Sequence, residues 1–195
     1  MTRLVLLRHG RTSAVAEGRL KGRLDVPLSD VGRAEVAQWR LPEGFEAARW
    51  FTSPLARARE TARILGVDAA VEQRLIEMDW GLWEGKTLAQ LREDDPDGMA
   101  ANEARGLDFR PPGGESPRAV QKRVAPWLAA IARDPAPVGA VTHKGVIRAI
   151  AALATGWDFL GPPPVRIDFD SAHVLDVAPD GTPRAERLNV PLLGV

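Results

Sequence analysis

Leu4-Val5-Leu6-Leu7-Arg8-His9-Gly10-Arg11-Thr12 is the stretch on which the reading of this chain turns. Its four successive apolar residues are too few to span a bilayer and show no polar alternation, so they read as a strand buried on both faces of a parallel sheet. The strand runs straight into Arg-His-Gly. Open α/β sheets bind ligands in the crevice outside the carboxyl ends of their strands. Arg8 and His9 are therefore the first candidates for a functional site.

Working outward, Val138-Gly139-Ala140-Val141-Thr142 is a second apolar strand, and it too ends in a histidine, as His143-Lys144-Gly145. A helix is expected from Val146 to Thr155, which turns the amides near Gly145 toward an anion at a helix N-terminus. Between the two strands, Arg49–Ser53 reads as a short strand. Pro54 then stands at the first position of a helix over 54–65, with Arg57 coming off its first turn toward the edge that carries His9. Arg59 and Arg63 fall on its outer face. Ser29 suits an N-cap for a helix from Asp30, and Ser116-Pro117 the start of a helix reaching about Arg133, with a kink expected at Pro126. Val67–Glu72 is a weak strand. A helix is expected at about 87–94, followed by turn chemistry in Asp94-Asp95-Pro96-Asp97-Gly98. Val165–Asp170 and His173–Val177 read as a closing hairpin, with His173 in a structural role.

Strands alternating with helices predict a three-layer α/β/α fold with a mostly parallel central sheet and one antiparallel edge strand. Residues 1–195 are expected to form a single domain with a small cover insertion at about 86–115. The 195 residues carry 26 acidic and 26 basic side chains, so no global field draws in nucleic acid or a membrane surface. Cysteine is absent, which removes disulfides, thiolate metal sites and a cysteine nucleophile. The expected location is the cytoplasm, with a small-molecule partner and room for a homodimer. Locally the balance breaks: Arg3, Arg8, Arg11, Arg19, Lys21 and Arg23 face only Glu17 across the opening segment.

Arg8, His9, Arg57 and His143 can meet at one sheet edge. Guanidinium forks match phosphate oxygens, and an imidazole is a competent nucleophile near neutral pH. A zinc site is the rival for a histidine pair, but arginines repel a dication and the chain lacks His-Glu-X-X-His spacing. A general acid is sought in the aromatic-rich loop Arg74–Gly85, where Glu77, Asp79 and Glu84 all stand among tryptophans. Desolvation there raises a carboxyl pKa toward neutrality.

These pieces together resemble the histidine phosphatase superfamily, which includes the cofactor-dependent phosphoglycerate mutases. The resemblance rests on Leu7-Arg8-His9-Gly10 with Thr12, Gly22 with Asp25–Ser29 and Gly32, Ser53–Ala58 with Thr61-Ala62, Glu77 with Gly81–Gly85, Gly113–Ser116 and Thr142–Arg148. It implies His9 as a phosphorylated nucleophile and Arg8, Arg57 and His143 as the pocket around the transferring group. It also implies Glu77 as the acid and base, Thr12, Gly22 and Gly145 among the phosphate contacts, and no metal or organic cofactor. Asp79 and Glu84 are left as solvated loop carboxylates.

Where the family commonly has Glu or Gln, Asn and Gly, this chain has Arg11, Val15 and Lys144. Arg11, Lys21 and Lys144 are thus expected to add positive charge around the phosphate and to favour a substrate with a second anionic group. The expected function is a metal-independent phosphomonoester hydrolase acting on a small phosphorylated metabolite. Phosphoglycerate mutase activity or mere phosphoester binding are the alternatives.

Overall fold

The computed structural model describes residues 1–13 and 18–193; Val15 and Glu17 lie outside them. At its centre is β1 (Thr2–Arg8), whose Leu4 to Leu7 are essentially inaccessible. The reason for the unbroken apolar run is visible in the packing. Leu4 and Leu6 join the core beneath α5 (Pro117–Ile131) and α6 (Lys144–Thr155), alongside Val120, Val124, Trp127, Ile147 and Ile150. Val5 and Leu7 face the other way, into the core formed with Ala58 and Ala62 of α2 (Ala56–Ile64) and with Phe45 and Trp50. Each fully buried side chain of this kind contributes about 1.5–3 kcal/mol through removal from water.

Three further strands run parallel to β1 in direction: β2 (Arg49–Thr52), β3 (Ala69–Val71) and β4 (Val138–Thr142). β4 lies between β1 and β2, with Arg8 opposite Thr142 and Thr52 opposite Val141. That register sets the residues following three strands, His9, Ser53 and His143, side by side at one carboxyl edge. Antiparallel β5 (Ser171–Val177) and β6 (Pro183–Pro191) complete the sheet, in the order β3-β2-β4-β1-β5-β6. Among the described residues no helix is long and apolar enough to cross a membrane.

The helices begin where their caps dictate. Ser29 Oγ accepts from the Gly32 amide at 3.0 Å to open α1 (Asp30–Val36), and Ser116 Oγ accepts from Ala119 at 3.1 Å to open α5. α5 runs unbroken through Pro126, which stands on its exposed face.

Several local expectations are corrected. Pro54 does not start α2: Ser53 Oγ accepts from the Leu55 amide and the helix begins at Ala56. After α3 (Leu88–Asp94), the Asp-Pro-Asp-Gly segment is not a turn but the start of α4 (Pro96–Glu103), with Asp95 as its cap accepting from Gly98 at 2.9 Å. The same Asp-Pro pair favours a turn or a helix start, and only the continuation decides. α6 begins at Lys144, two residues before the expected Val146, with extended His143 as its N-cap.

The closing hairpin pairs 171–177 with 183–191, so the antiparallel edge has two strands, and 165–170 is not one of them. Asp168 there accepts from the Asp170 amide and the Ser171 hydroxyl, and the Asn189 side chain ties down the Asp168 amide and the Arg166 carbonyl. β6 carries no strand signal in the sequence because residues 184–187 are charged or exposed, as is usual on an edge strand.

Candidate active site

His9 leaves the end of β1 at 7 % exposure, and its Nδ1 lies 2.7 Å from its neighbour's carbonyl, Gly10 O. A carbonyl only accepts, so Nδ1 carries the proton and Nε2 keeps its lone pair. Burial, followed by the charges of Arg8 and Arg57, holds the His9 pKa well below its ordinary value. The imidazole is neutral at pH 7, the state in which it can attack. The Gly10 amide is anchored in turn on Thr61 Oγ1 at 3.0 Å.

His143 stands beside it with ring centroids 5.1 Å apart, fully buried, its Nε2 2.6 Å from Ser53 Oγ. Burial, then His9 and Arg57, keep it neutral as well. Arg57, 1 % exposed, is aimed by two donations: Nη1 to Leu24 O and Nη2 to Gly22 O, each 2.7 Å. Gly22 presents that carbonyl from a left-handed conformation (φ 49°), and a Cβ on it would strike Glu84. Arg8 Nε, Arg57 Nε and His143 Nδ1 are buried without a hydrogen-bond partner among the described residues. Such nitrogens are uncommon, and their convergence at one sheet edge sets a demand for an acceptor.

Glu77 is the buried carboxyl, 8 % exposed. Burial raises its pKa, opposed by the Met78 and Gly145 amides, which donate to Oε1 at 2.7 and 3.1 Å, and by the charges of Arg57 and Arg123. Its segment is clamped from outside. Arg123 donates to the carbonyls of Arg74 and Ile76 and pairs with Glu115 at 3.1 Å, while the Glu115 amide and carboxylate bond Asp79. Asp79 and Glu84 are accordingly not free solvated carboxylates. Asp79 pairs with Arg23 at 3.2 Å, and Glu84 accepts from the Arg23 amide at 2.8 Å.

A cavity of about 320 Å³ opens over these groups, lined by Arg8, His9, Gly22, Arg57, Glu77 and Gly145 together with Arg19, Lys21, Lys144 and Arg148. Among the described residues, six cationic side chains thus face one carboxyl. Lys144 also lies 4.9 Å from the Phe169 ring. Two expected contacts are not brought here. Arg11 turns away to pair with Glu35 at 3.3 Å and lines a separate cavity behind His9. Thr12 is engaged in a β-bridge with Leu28 and does not line the main cavity. Both follow Gly10, where the chain swings away toward α1.

Arg148, Trp80 and Leu88 line the cavity without having been singled out as site residues. Arg148 had a legible signal: four residues after Lys144 on one helix, it shares that residue's face. Trp80 and Leu88 had none, since their loop has no period and its position comes from tertiary contacts.

A family model described as histidine phosphatase superfamily (branch 1) matches residues 4–191. A bifunctional protein of Mycobacterium tuberculosis is 40% identical over 129 residues, covering 63% of this chain and 35% of its own. This chain therefore corresponds to only about a third of that longer relative. The glucosyl-3-phosphoglycerate phosphatase of M. tuberculosis is 34% identical over 179 residues, 82% of this chain and 80% of the relative. The solved structure of a mycobacterial glucosyl-3-phosphoglycerate phosphatase with inorganic phosphate superposes with a TM-score of 0.80 at 28% identity, covering 98% of each chain. With a buried histidine pair and arginines at one sheet edge and a match along nearly its whole length, the chain belongs to the histidine phosphatase superfamily, branch 1.

Proposed function

We propose that this protein is a metal-independent phosphomonoester hydrolase that works through a phosphohistidine at His9. The observation that carries the reading is a neutral, buried imidazole with its Nδ1 proton committed to Gly10 O, set in a cavity that six cations and one buried carboxyl line among the described residues. The substrate's phosphoryl oxygens are held by Arg8 and Arg57, with Lys21 and Lys144 at the rim, while the Gly145 amide is spent on Glu77. His143, held on Ser53, stands against His9 and donates to an equatorial oxygen as charge spreads over the group.

His9 Nε2 forms the N–P bond as the P–O bond to the alcohol breaks, and protonated Glu77 passes its proton to the departing oxygen. Glu77, now ionised, takes a proton from water; the hydroxide breaks the N–P bond, releasing phosphate and restoring both groups. Flanking cations favour the phosphoryl dianion over a bound dication, which supports chemistry without a metal. The segment 86–115 acts as a cover within a single domain, the substrate is a small phosphorylated metabolite, and the site of action is the cytoplasm.

Rapid acid quench of the enzyme mixed with ³²P-labelled substrate in excess chelator tests this. The expectation is an acid-labile phosphoenzyme that forms in wild type and is abolished, with turnover, in His9→Ala. Undiminished activity in His9→Ala, or activity lost on chelation, refutes the proposal. A clear rate of interconversion between 2- and 3-phosphoglycerate, exceeding phosphate release, shifts the assignment to a mutase.

A further inference from the structure

A second cavity, of about 400 Å³, adjoins the first and shares Trp80, Leu88, Gly145 and Arg148 with it. Phe109 and Phe159 add aromatic walls. Two cations reach this second space. One of them, Arg92, is engaged by Glu103 at 2.6 Å. The other, Arg148, makes no hydrogen bond and no salt bridge among the described residues; instead its guanidinium lies 5.1 and 4.9 Å from the ring centroids of Trp157 and Phe159. Those rings stack on each other at 4.1 Å and 12°.

Phe159 holds its ring there from a left-handed backbone conformation, φ 68°, which a bulky residue adopts only when its surroundings over-determine it. Its centre is nearly equidistant from the two parallel rings, so it sits beside the stacked pair, held by packing with no side-chain donor spent on an acceptor among the described residues. The fork of Arg148 is thereby held at the junction of the two spaces. Lys144, one helical turn earlier, lines the first space only.

We propose that Arg148 is a specificity-determining residue that grips a carboxylate on the alcohol part of the substrate, while a ring borne by the same alcohol lies in the second cavity against Trp80, Phe109 and Phe159. The proposal rests on the phosphatase reading of the His9 site.

Three phosphoesters separate the contributions: glycerol 3-phosphate has neither feature, 3-phosphoglycerate adds the carboxylate, and glucosyl-3-phosphoglycerate adds the ring; p-nitrophenyl phosphate serves as a control for the chemistry. In wild type kcat/KM is expected to rise about 10- to 100-fold on adding the carboxylate, the scale of one charge-assisted hydrogen-bonded contact, and again on adding the ring. Arg148→Gln is expected to erase the first step, bringing 3-phosphoglycerate down to the level of glycerol 3-phosphate, and Phe109→Ala to erase the second.

Wild-type values within about threefold of one another overturn the inference without any variant needing to fold. So does an Arg148→Gln loss equal for all three esters, which assigns Arg148 to the phosphoryl group or the fold. Turnover of p-nitrophenyl phosphate alone overturns this inference and leaves the His9 reading standing. No turnover of any of the four removes both.

Discussion

Replacing Glu77 by Gln is the perturbation that most sharply separates the roles assigned to this site. The amide has the shape of the carboxyl, and its oxygen can still accept from the Met78 and Gly145 amides that now hold Oε1 at 2.7 and 3.1 Å. The loop is also clamped from outside by Arg123 and Glu115, so the geometry should survive. What is lost is the transferable proton, which in general acid catalysis is worth about 10²–10⁴ in rate, or ~3–5.5 kcal/mol.

The loss should depend on the leaving group. An alkoxide needs the proton, so phosphorylation by an alkyl phosphate should slow by the full factor. Nitrophenolate leaves unaided, so Glu77→Gln should still give a stopped-flow burst of about one equivalent from p-nitrophenyl phosphate, followed by slow turnover because water is no longer activated. In wild type, kcat/KM for an alkyl ester should rise with pH through the depressed pKa of His9 and fall through the raised pKa of Glu77. The variant should lack the falling limb. Equal slowing of the phosphorylation step for both leaving groups would refute the assignment of Glu77 as the acid.

A stability consequence runs opposite to the catalytic one. Because the folded-state pKa of Glu77 lies above its unfolded value, its ionisation costs stability as pH rises through the folded pKa and costs nothing below about 4.5. Glu77→Gln should melt higher than wild type at alkaline pH, with the gap closing in acid; differential scanning calorimetry across pH checks this. Gly145→Ala should lose activity. A Cβ there would stand 2.5 Å from Glu77 Oε1 and 3.0 Å from Met78 Cβ and would displace the carboxyl from its amide donors, so kcat for an alkyl ester should fall in steady-state assays.

His173, 1 % exposed with Nε2 buried and without a partner among the described residues, has its pKa lowered by burial from 6.5 to about 4. Its contribution is whole above pH 6.5 and is lost as pH falls toward 4, up to about 3 kcal/mol at ~1.4 kcal/mol per pH unit. His173→Leu should therefore flatten the acid side of the urea-denaturation stability curve between those limits, and an unchanged slope would contradict the assignment.

Most of what frames the site was written locally. The apolar runs at 4–7 and 138–142 have to be covered on both faces, which makes them neighbouring central strands. That alone delivers His9 and His143 to one edge. Ser29 and Ser116 mark their helices because a hydroxyl facing an orphan amide is a contact within four residues. β6 stayed hidden because an edge strand wears polar residues, and α4 because Asp-Pro serves turns and helix starts equally.

The sequence alone therefore determined the layers, the edge, the histidine pair and Arg57, each a consequence of neighbours in the chain or of burial pattern. Which long side chains face the cavity follows from the packing of distant segments. Arg11, two residues past His9, is taken by Glu35, while Arg148, deep in the chain, is brought to the cavity and held by Trp157 and Phe159. Glu77 could be chosen from three loop carboxylates only by resemblance, and the fold supplies the physical reason. It is the one buried against the Met78 and Gly145 amides, whereas Asp79 and Glu84 are drawn to Arg23. A flexible charged side chain finds its partner only after distant segments have packed, and no spacing in the sequence encodes that choice.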